Sequence, residues 1–321
     1  MRVLVTGVAG MVGSHMLDFF ERRKDIEVVG LYFRPTIHFG DIEGKASLLE
    51  CDVRYYAPLH SIVSRFMPDV VYHLAAQSYP SVSWERPQET IEVNVNGTIN
   101  VFESIKAIRK QAPGYDPVVV VACSSAEYGA SLTPENVPID ESMALLPLHP
   151  YGVSKVAQDL LSYQYFVNDG IKCVRARIFN TTGPRKTNDV ASDFTLRAIR
   201  IEKNLDASGR LRVGNLGTSR AITDVRDLAQ ALILLAEKGK YGDVYNISGS
   251  KAYMISEILE IIKSRVKADF SVEVDPALLR PTDEPIIFGD SSKLIRDTQW
   301  SQRISLDQTI ADMLDYWRLC L

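Results

Sequence analysis

The chain has 321 residues, of which 46% are hydrophobic and 24% are charged, and its formal net charge is −4. This length is sufficient for two fused lobes around a substantial core, and the composition is ordinary for a globular protein. The mildly acidic balance gives no electrostatic reason to expect nucleic acid or an anionic membrane as a partner.

The cysteines and the N-terminus indicate the compartment. The four cysteines, at positions 51, 123, 173 and 320, show no metal-ligand spacing, so we expect no metal site and a reducing environment. The first residues are already strand-like, which leaves no room for a signal peptide. No apolar run approaches the ~20 residues of a membrane span. The sequence therefore predicts a cytoplasmic protein.

The N-terminal segment predicts a turn that binds a dinucleotide. A short apolar strand, Arg2 to Thr6, leads into a glycine-spaced turn, and a helical stretch from Ser14 to Arg23 follows. Glycines let the backbone approach a pyrophosphate, and the helix N-terminus offers free N–H groups to the anion. The residues predicted to contact the cofactor here are Gly7, Gly10, Met11, Val12 and Gly13.

The first half of the chain alternates strand-like and helical segments. Predicted strands are Val28–Leu31, Leu48–Cys51, Val70–His73 and Val118–Ala122, and predicted helices are Pro58–Arg65, Thr90–Arg109 and Tyr151–Val167. Continuous apolar strands between helices are typical of a parallel sheet covered on both faces. The pattern predicts an α/β fold with a doubly wound, Rossmann-type sheet.

The end of the second predicted strand bears on the choice of nicotinamide cofactor. An acidic residue there would bind the adenosine ribose hydroxyls and select NAD(H). This chain instead has Arg34 after Tyr32 and Phe33. A guanidinium can pair with a 2′-phosphate and stack on adenine, so the sequence favours NADP(H).

A tyrosine, a lysine and a serine pair in the middle of the chain predict a proton-transfer site. Tyr151 and Lys155 lie four residues apart on a predicted helix and so share one face, and the pair Ser124 and Ser125 ends the preceding apolar run. A phenol has a pKa of about 10, and an adjacent ammonium favours its ionised form. A serine hydroxyl can orient the substrate oxygen. Together these groups suit the interconversion of a carbonyl and an alcohol.

These features together resemble the extended short-chain dehydrogenase/reductase family over essentially the whole chain. Within it the chain is most similar to enzymes that act on GDP-sugars, GDP-mannose 4,6-dehydratase and GDP-4-keto-6-deoxy-mannose reductase. The segments that carry the resemblance, besides the glycine turn, are His73 to Ser78, Asn94 to Thr98, Ser124 to Gly129, Tyr151 to Lys155, Arg177 to Asn180, Gly183 to Arg185, Val213 to Leu216, Thr223 to Asp227, and Arg280 with Pro281.

The resemblance implies how the chain is divided. A Rossmann domain would comprise residues 1–178 and a returning segment at about 224–248, with a helix Val225–Lys238 and a strand Val244–Ile247. Residues 179–223 and 249–321 would form the smaller nucleotide-sugar lobe. The family also implies a homodimer formed through the helices at about 90–109 and 151–167.

The resemblance also places the active-site hydroxyl at Ser124 and assigns further binding residues. Those implied for the cofactor are Asp52, Val53, Leu74, Ala75 and Ala76, and Lys155 would in addition reach the nicotinamide ribose. Those implied for a nucleotide-sugar substrate, with GDP favoured as the nucleotide, are Gln77, Ser78, Ser125, Asn180, Arg185, Arg220, Arg280 and Asp283. Arginines suit a diphosphate because each guanidinium can bind phosphate oxygens with two parallel hydrogen bonds.

One departure from the dehydratases bears on the reaction. Dehydratases carry a glutamate, which removes the C5 proton, where this chain has Ala126. Glu127 is one step further along a strand-like segment and should point the other way. We therefore expect reduction without elimination. A 4,6-dehydratase remains an alternative, as does a 4-epimerase, because Ala126 resembles the UDP-hexose epimerases; a non-catalytic NADP sensor is a more distant one.

Overall fold

The computed structural model describes residues 1–279 and 284–321. The strands are β1 (Arg2–Thr6), β2 (Glu27–Tyr32), β3 (Ser47–Glu50), β4 (Val70–His73), β5 (Val118–Ser124), β6 (Cys173–Ile178), β7 (Thr181–Thr182), β8 (Arg210–Val213), β9 (Ser219–Ala221), β10 (Thr223–Asp224), β11 (Val244–Ile247), β12 (Ala252–Met254), β13 (Ser271–Val274) and β14 (Ile286–Ile287). The α-helices are α1 (Met11–Phe20), α2 (Tyr56–Phe66), α3 (Pro80–Glu85), α4 (Pro87–Ile91), α5 (Gly97–Gln111), α6 (Pro150–Asp169), α7 (Val190–Glu202), α8 (Val225–Lys238), α9 (Ile255–Lys263), α10 (Ser292–Thr298) and α11 (Leu306–Cys320).

The central sheet has seven strands in the order β11-β6-β5-β4-β1-β2-β3. Every neighbouring pair in it is parallel. The strand order reverses between β1 and β4, and in such sheets ligands bind at the carboxyl ends of the strands beside that point. This arrangement confirms the predicted α/β Rossmann fold, and the returning strand β11 lies at the edge next to β6.

Helices cover both faces of the sheet because successive side chains of each strand point to opposite faces. On β1, Val3 and Val5 belong to one buried cluster with α1 and α8 residues, and Leu4 belongs to a second cluster with α2 and α5 residues. These strands are therefore apolar at nearly every position. The sheet is fixed between two cores, which places its loops rigidly at the carboxyl edge.

The C-terminal half builds a third core from α7, α9 and α11, beside three small sheets, β7 with β10, β12-β9-β14 and β8 with β13. One part of it lies elsewhere. Leu294 of α10 and Trp300 pack in the first core cluster with α8, although they lie within the range 249–321 assigned to the second lobe. This segment of the second range therefore packs against the Rossmann helix α8, and the division of the chain into two lobes stays a prediction.

Element boundaries largely follow the sequence, with two differences. The first helix begins at Met11 rather than Ser14, directly after the glycine turn. The predicted helix 90–109 is interrupted by a π-helical turn, Glu92–Asn96, between α4 and α5. That turn carries the buried side chain of Asn94. Within the described residues, no helix is both long and apolar enough to cross a bilayer.

Candidate active site and dinucleotide cleft

The glycine turn after β1 can hold a pyrophosphate at close range. Gly7 has φ of 71°, and a Cβ there would lie 2.7 Å from the backbone nitrogen of Ala75. A Cβ on Gly13 would lie 2.6 Å from the Cα of Val8. Gly10 caps α1 without a side-chain hydrogen bond, so the first-turn N–H groups, including those of residues 11–13, face the turn. The turn fits a dinucleotide, although its individual contacts stay predictions.

The end of β4 forms the opposite wall of this turn. Thr6 Oγ1 accepts hydrogen bonds from the backbone N–H groups of Leu74 and Ala75, each at 3.1 Å. These bonds hold the 74–76 segment against Gly7, which explains why only glycine fits there. The structure thus brings Leu74, Ala75 and Ala76 to the same cleft as the glycine turn.

We call the residues that follow β2 and β3, namely Phe33, Arg34, Asp52, Val53 and Arg54, the adenosine end of the cleft. The guanidinium carbons of both arginines lie over the Phe33 ring, at 5.1 Å for Arg34 and 5.9 Å for Arg54. Arg54 donates to both oxygens of Asp52, and this pairing lowers the pKa of the Asp52 carboxyl against the opposing effect of burial. Val53 is buried against Gly97.

Arg34 is exposed but not unpaired. It lies in the left-handed region with φ of 52°, which turns the chain sharply after β2. Its Nη1 donates to Glu89 Oε1 of α4 at 2.9 Å, and its side chain is 66% exposed. A second arginine at this end, Arg54, was not predicted as a site residue. Both guanidiniums are already paired, Arg34 with Glu89 and Arg54 with Asp52, so a phosphate bound here would compete with these carboxylates.

Ser124, Tyr151 and Lys155 meet beside the carboxyl end of β5. Ser124 ends that strand and starts a 3-10 turn, Ser125–Glu127, in which its Oγ accepts from the N–H of Ala126 at 3.2 Å. The side chains of Tyr151 and Lys155 project from the first turns of α6, and the ammonium lies 5.8 Å from the Tyr151 ring centroid. The sequence-predicted group is therefore spatially compact.

The ionisation of these groups differs from the simple expectation. Burial raises the pKa of Tyr151 to about 12, and its hydrogen bond with Ser124 only partly offsets this. Burial also lowers the pKa of Lys155 to about 8, opposed by the nearby Cys123 and Glu127. The phenol pKa is therefore raised rather than lowered, and burial is the cause. The Lys155 ammonium donates to Ala122 O and Gln158 Oε1.

Glu127 is turned away from the reaction side into a buried ionic cluster. It has no exposed surface, and its Oε1 accepts from the Ser124 N–H at 2.8 Å. Its Oε2 lies 3.2 Å from Arg177 Nε. The Nε–H group of Arg177 donates its hydrogen bond to Asp159 Oδ2, at 2.9 Å. Burial, followed by the charge of Asp159, raises the Glu127 pKa well above its ordinary value. The predicted structural role for Glu127 agrees with this placement.

One side-chain cluster among the described residues has metal-like spacing. Ligand atoms of Cys123, Glu127 and Asp159 all lie within 4.8 Å of one another. Arg177 already neutralises these carboxylates, and burial raises the pKa of the Cys123 thiol well above its ordinary value. A cation would have to displace this guanidinium, so the cluster does not fit a metal site well.

The residues predicted to border the sugar differ in how far they are already engaged. Gln77 donates from Nε2 to Tyr79 O and Thr90 Oγ1, and its Oε1 accepts from Tyr79 N–H. Its backbone N–H also donates to Asn94 Oδ1 in the π-helical turn. Gln77 therefore shapes the loop, whereas Ser78 is exposed. Ser125, in the 3-10 turn, is 8% exposed.

The residues predicted to bind the diphosphate also differ in the hydrogen bonds that they already make. Asn180 Oδ1 is buried without a hydrogen-bond partner among the described residues, which suits a ligand contact. Arg220 is buried on β9 and donates to the carbonyls of Ser219 and Glu284. Arg185 Nη1 donates to Asp18 Oδ2 of α1 at 2.7 Å, so binding a diphosphate would require it to leave that carboxylate.

Arg280 and Asp283 lie outside the described residues. The roles of Asn180, Arg185 and Arg220 as substrate ligands stay predictions, and the structure gives the clearest support to the unpartnered amide oxygen of Asn180.

Comparison with known proteins agrees with this architecture. The chain is 29% identical over 317 residues to GDP-6-deoxy-D-mannose reductase of Pseudomonas aeruginosa, covering 98% of this chain and 97% of that protein. The structure of RMD from Pseudomonas aeruginosa complexed with NADPH is 26% identical with a TM-score of 0.86, covering 100% and 99% of the two chains. UDP-glucose 4-epimerase of Thermus thermophilus in complex with NAD is 28% identical with a TM-score of 0.86 and full coverage of both chains.

The model of the GDP-mannose 4,6 dehydratase family matches residues 4–313, nearly the whole chain. The related dehydratases, reductases and epimerases are nicotinamide-dependent enzymes that act on nucleotide sugars. The chain therefore belongs to the GDP-mannose 4,6 dehydratase family, a branch of the extended short-chain dehydrogenases/reductases.

Proposed function

We propose that this protein is an NADPH-dependent reductase of a 4-keto-6-deoxy nucleotide sugar, with GDP as the favoured nucleotide. The observation that carries the proposal is the pairing of a complete reduction site with a missing elimination base. Ser124, Tyr151 and Lys155 lie together, position 126 is an alanine, and the neighbouring Glu127 is buried and bonded to the Ser124 N–H.

The protonation state of Tyr151 is compatible with proton donation. Burial raises its pKa, so the phenol carries its proton at neutral pH, as an ordinary phenol does, and can donate it. Bound NADPH would supply the hydride for C4, and the carbonyl oxygen, which gains negative charge, would take the Tyr151 proton to give the alcohol. The Ser124 hydroxyl orients that oxygen, and the Lys155 ammonium provides positive charge beside the phenol.

The preference for NADPH is part of the same proposal. The guanidiniums of Arg34 and Arg54 lie over the Phe33 ring at the adenosine end, and no acidic side chain directly follows β2. The similar Pseudomonas aeruginosa structure holds NADPH, whereas the Thermus thermophilus epimerase holds NAD. Two guanidiniums near the ribose favour the cofactor that carries a 2′-phosphate.

The test is an anaerobic incubation of the protein with NADPH and, separately, GDP-mannose or GDP-4-keto-6-deoxy-mannose. We expect NADPH absorbance to fall in stoichiometric proportion to product with the keto sugar and to stay constant with GDP-mannose. Product formed without net NADPH consumption would refute the reductase assignment. Absence of turnover with every nucleotide sugar tried would instead favour the non-catalytic NADP sensor.

A dehydratase would be recognised by exchange at C5. With NADP bound, the wild-type protein should not incorporate solvent deuterium at C5 of GDP-mannose, because Ala126 carries no base and Glu127 is fully buried. Ala126→Glu is the informative partner variant, since it restores the carboxylate at the dehydratase position. Clear C5 deuteration by the wild type would assign the base to another residue and favour the dehydratase.

A 4-epimerase is the second candidate, favoured by Ala126 and by the likeness to the Thermus thermophilus enzyme. An epimerase retains its nicotinamide and needs no external NADPH. Incubation with UDP-glucose and GDP-mannose, followed by separation of the C4 epimers, distinguishes it from a reductase. An inverted C4 centre without external cofactor would replace the reductase proposal.

We also propose a cytoplasmic homodimer that uses α6. Four of its side chains are apolar or aromatic, lie on one face by their spacing and are about half exposed: Val153, Leu160, Tyr163 and Val167. Such a row marks an interaction surface. Leu160→Glu should lower the molar mass measured by light scattering, whereas Leu319→Glu on α11, an even more exposed leucine, should not.

A further inference from the structure

A continuous series of hydrogen bonds leads from the catalytic lysine to the dinucleotide turn. Lys155 Nζ donates to Gln158 Oε1 at 2.7 Å and to Ala122 O at 2.8 Å. The amide of Gln158 then donates from Nε2 to Thr98 Oγ1 at 2.9 Å. Gln158 therefore uses its oxygen for the ammonium and its nitrogen for α5, which fixes the orientation of its amide.

The series continues through a neutral histidine. The Thr98 hydroxyl donates to Asn94 O at 2.6 Å, so its oxygen must accept from both Gln158 and His73 Nε2, the latter at 3.0 Å. Thr6 Oγ1 already accepts two backbone N–H groups, so its proton goes to His73 Nδ1 at 2.9 Å. His73 thus carries its proton on Nε2, and burial lowers its pKa to about 3.

None of these groups has an alternative partner in water. Thr6, His73, Thr98 and Gln158 have no exposed surface, and Lys155 is 3% exposed. A buried donor or acceptor that loses its partner costs about 1–3 kcal/mol, so the members hold one another in a single arrangement. The same donors and acceptors in an exposed position would exchange with water.

We propose that Gln158 is a positioning residue whose amide, oriented by Thr98 and His73, keeps the Lys155 ammonium charged and ties it to the turn that carries the dinucleotide. The reaction that this serves is the proposed reduction, on which this inference rests. Its effect on Lys155 is nevertheless measurable without turnover.

The other groups around Lys155 leave a defined role for this amide. Cys123 of β5 and Glu127 of the 3-10 turn favour the ammonium electrostatically, Tyr151 of α6 lies beside it, and His73 of β4 is neutral. Burial is the larger effect and lowers the Lys155 pKa to about 8. Turnover that needs the ammonium should therefore fall as the pH rises through about 8.

The test uses two substitutions that act in opposite directions. Gln158→Met keeps the volume but removes the acceptor, so the ammonium loses a stabilising hydrogen bond and the alkaline limb of kcat should move down by about one pH unit. Gln158→Glu places a carboxylate at the same position, so the limb should move up by about one pH unit. A side chain that only filled space would not shift the limb in opposite directions.

Controls come from the same elements. Ser162→Ala removes a hydroxyl of α6 that bonds only the Gln158 carbonyl, and it should leave the limb in place. Thr98→Val removes the acceptor for the Gln158 amide and should act like Gln158→Met, whereas Thr98→Ser keeps the hydroxyl and should match the wild type. Thr98→Val also carries the test if Gln158→Met does not fold.

The Lys155 titration itself separates this inference from the proposed function. Protein with isotopically labelled lysine Nζ, with Lys155→Met to assign the signal, gives the Lys155 titration by NMR without any substrate. Lower and higher midpoints in Gln158→Met and Gln158→Glu support the inference even if no sugar is reduced. Unchanged midpoints in folded variants overturn it, whatever the activity.

Discussion

At the catalytic end of the dinucleotide cleft Lys155 is 3% exposed, whereas at the adenosine end the Arg34 side chain is 66% exposed. The first is held by a closed series of hydrogen bonds and the second by an ion pair with Glu89. A buried donor or acceptor that loses its hydrogen-bond partner costs about 1–3 kcal/mol, and more if it is charged, whereas an exposed ion pair contributes about 0–1 kcal/mol. Rate and stability should therefore depend on one end of the cleft, and cofactor choice on the other.

The largest effect is expected from removing the proton donor. Tyr151→Phe should lower kcat by about 10²–10⁴-fold while the dissociation constant for NADPH changes little, because the phenol acts in the transition state. Stopped-flow turnover and NADPH fluorescence titration measure the two quantities. Tyr241→Phe, at an exposed tyrosine between α8 and β11, is the matched control. Activity of Tyr151→Phe within threefold of the wild type would contradict the assignment (a margin of about 0.7 kcal/mol).

Next comes the ionic cluster beneath the catalytic residues. Arg177→Met should destabilise the fold by about 3–5 kcal/mol, because Glu127 would remain buried without its cation and Asp159 would keep only Arg175. The measurement is chemical denaturation at neutral pH. Arg23→Met, which removes an exposed pair with Asp25, is the comparison and should change the midpoint little. Equal losses in the two variants would show that burial does not separate these pairs.

The sequence predicts the framework of this site better than its polar interior. The glycine turn, β1, β4, α6 and the Tyr151–Lys155 pair follow from local spacing, and these were located within a few residues. Gln158 and Thr98 were missed, because their partners lie on other elements and only folding brings them together. The one local signal was the position of Gln158 three residues after Lys155, on the same helical face.

Similar reasoning explains which polar contacts the sequence could not show. Gln77 and Arg185 belong to segments that match the family, but the sequence could not show that Gln77 closes its own loop or that Arg185 reaches Asp18 of α1. The π-helical turn could not be predicted from the sequence for the same reason. It depends on Asn94 being bonded to Gln77 and Ser154, which lie 17 and 60 residues away in sequence.

At the adenosine end we expect substitutions to have intermediate effects, and to change the affinity for NADPH rather than for NADH. Arg34→Ala should weaken NADPH binding by roughly tenfold, the lower end of what a charge-assisted contact provides, since the side chain is well exposed. NADH affinity should change little. Fluorescence titration with both cofactors measures this, and an equal loss for both would mean that Arg34 supports only adenine or the loop.

The smallest predicted effect tests the difference between the two ends of the cleft most directly, because it should be a gain in affinity for NADPH. Glu89 holds Arg34 at 2.9 Å and lies 3.5 Å from Arg86, so a 2′-phosphate must compete with this carboxylate for the guanidinium. Exposed ion pairs contribute about 0.2–1 kcal/mol, which predicts that Glu89→Gln strengthens NADPH binding by up to about fivefold and leaves NADH unchanged. The measurement is the ratio of the two dissociation constants.

Two conditions distinguish this competition from a general change in the loop. The gain should shrink at high ionic strength, because salt screens exposed charges. It should disappear in an Arg34→Ala background, because the guanidinium for which Glu89 and the phosphate compete is then absent. A gain that persists in the double variant would assign the effect to α4 rather than to Arg34. No comparable gain in cofactor affinity is expected at the catalytic end, where Gln158 is fully buried and removal of its amide takes away an interaction that water cannot restore.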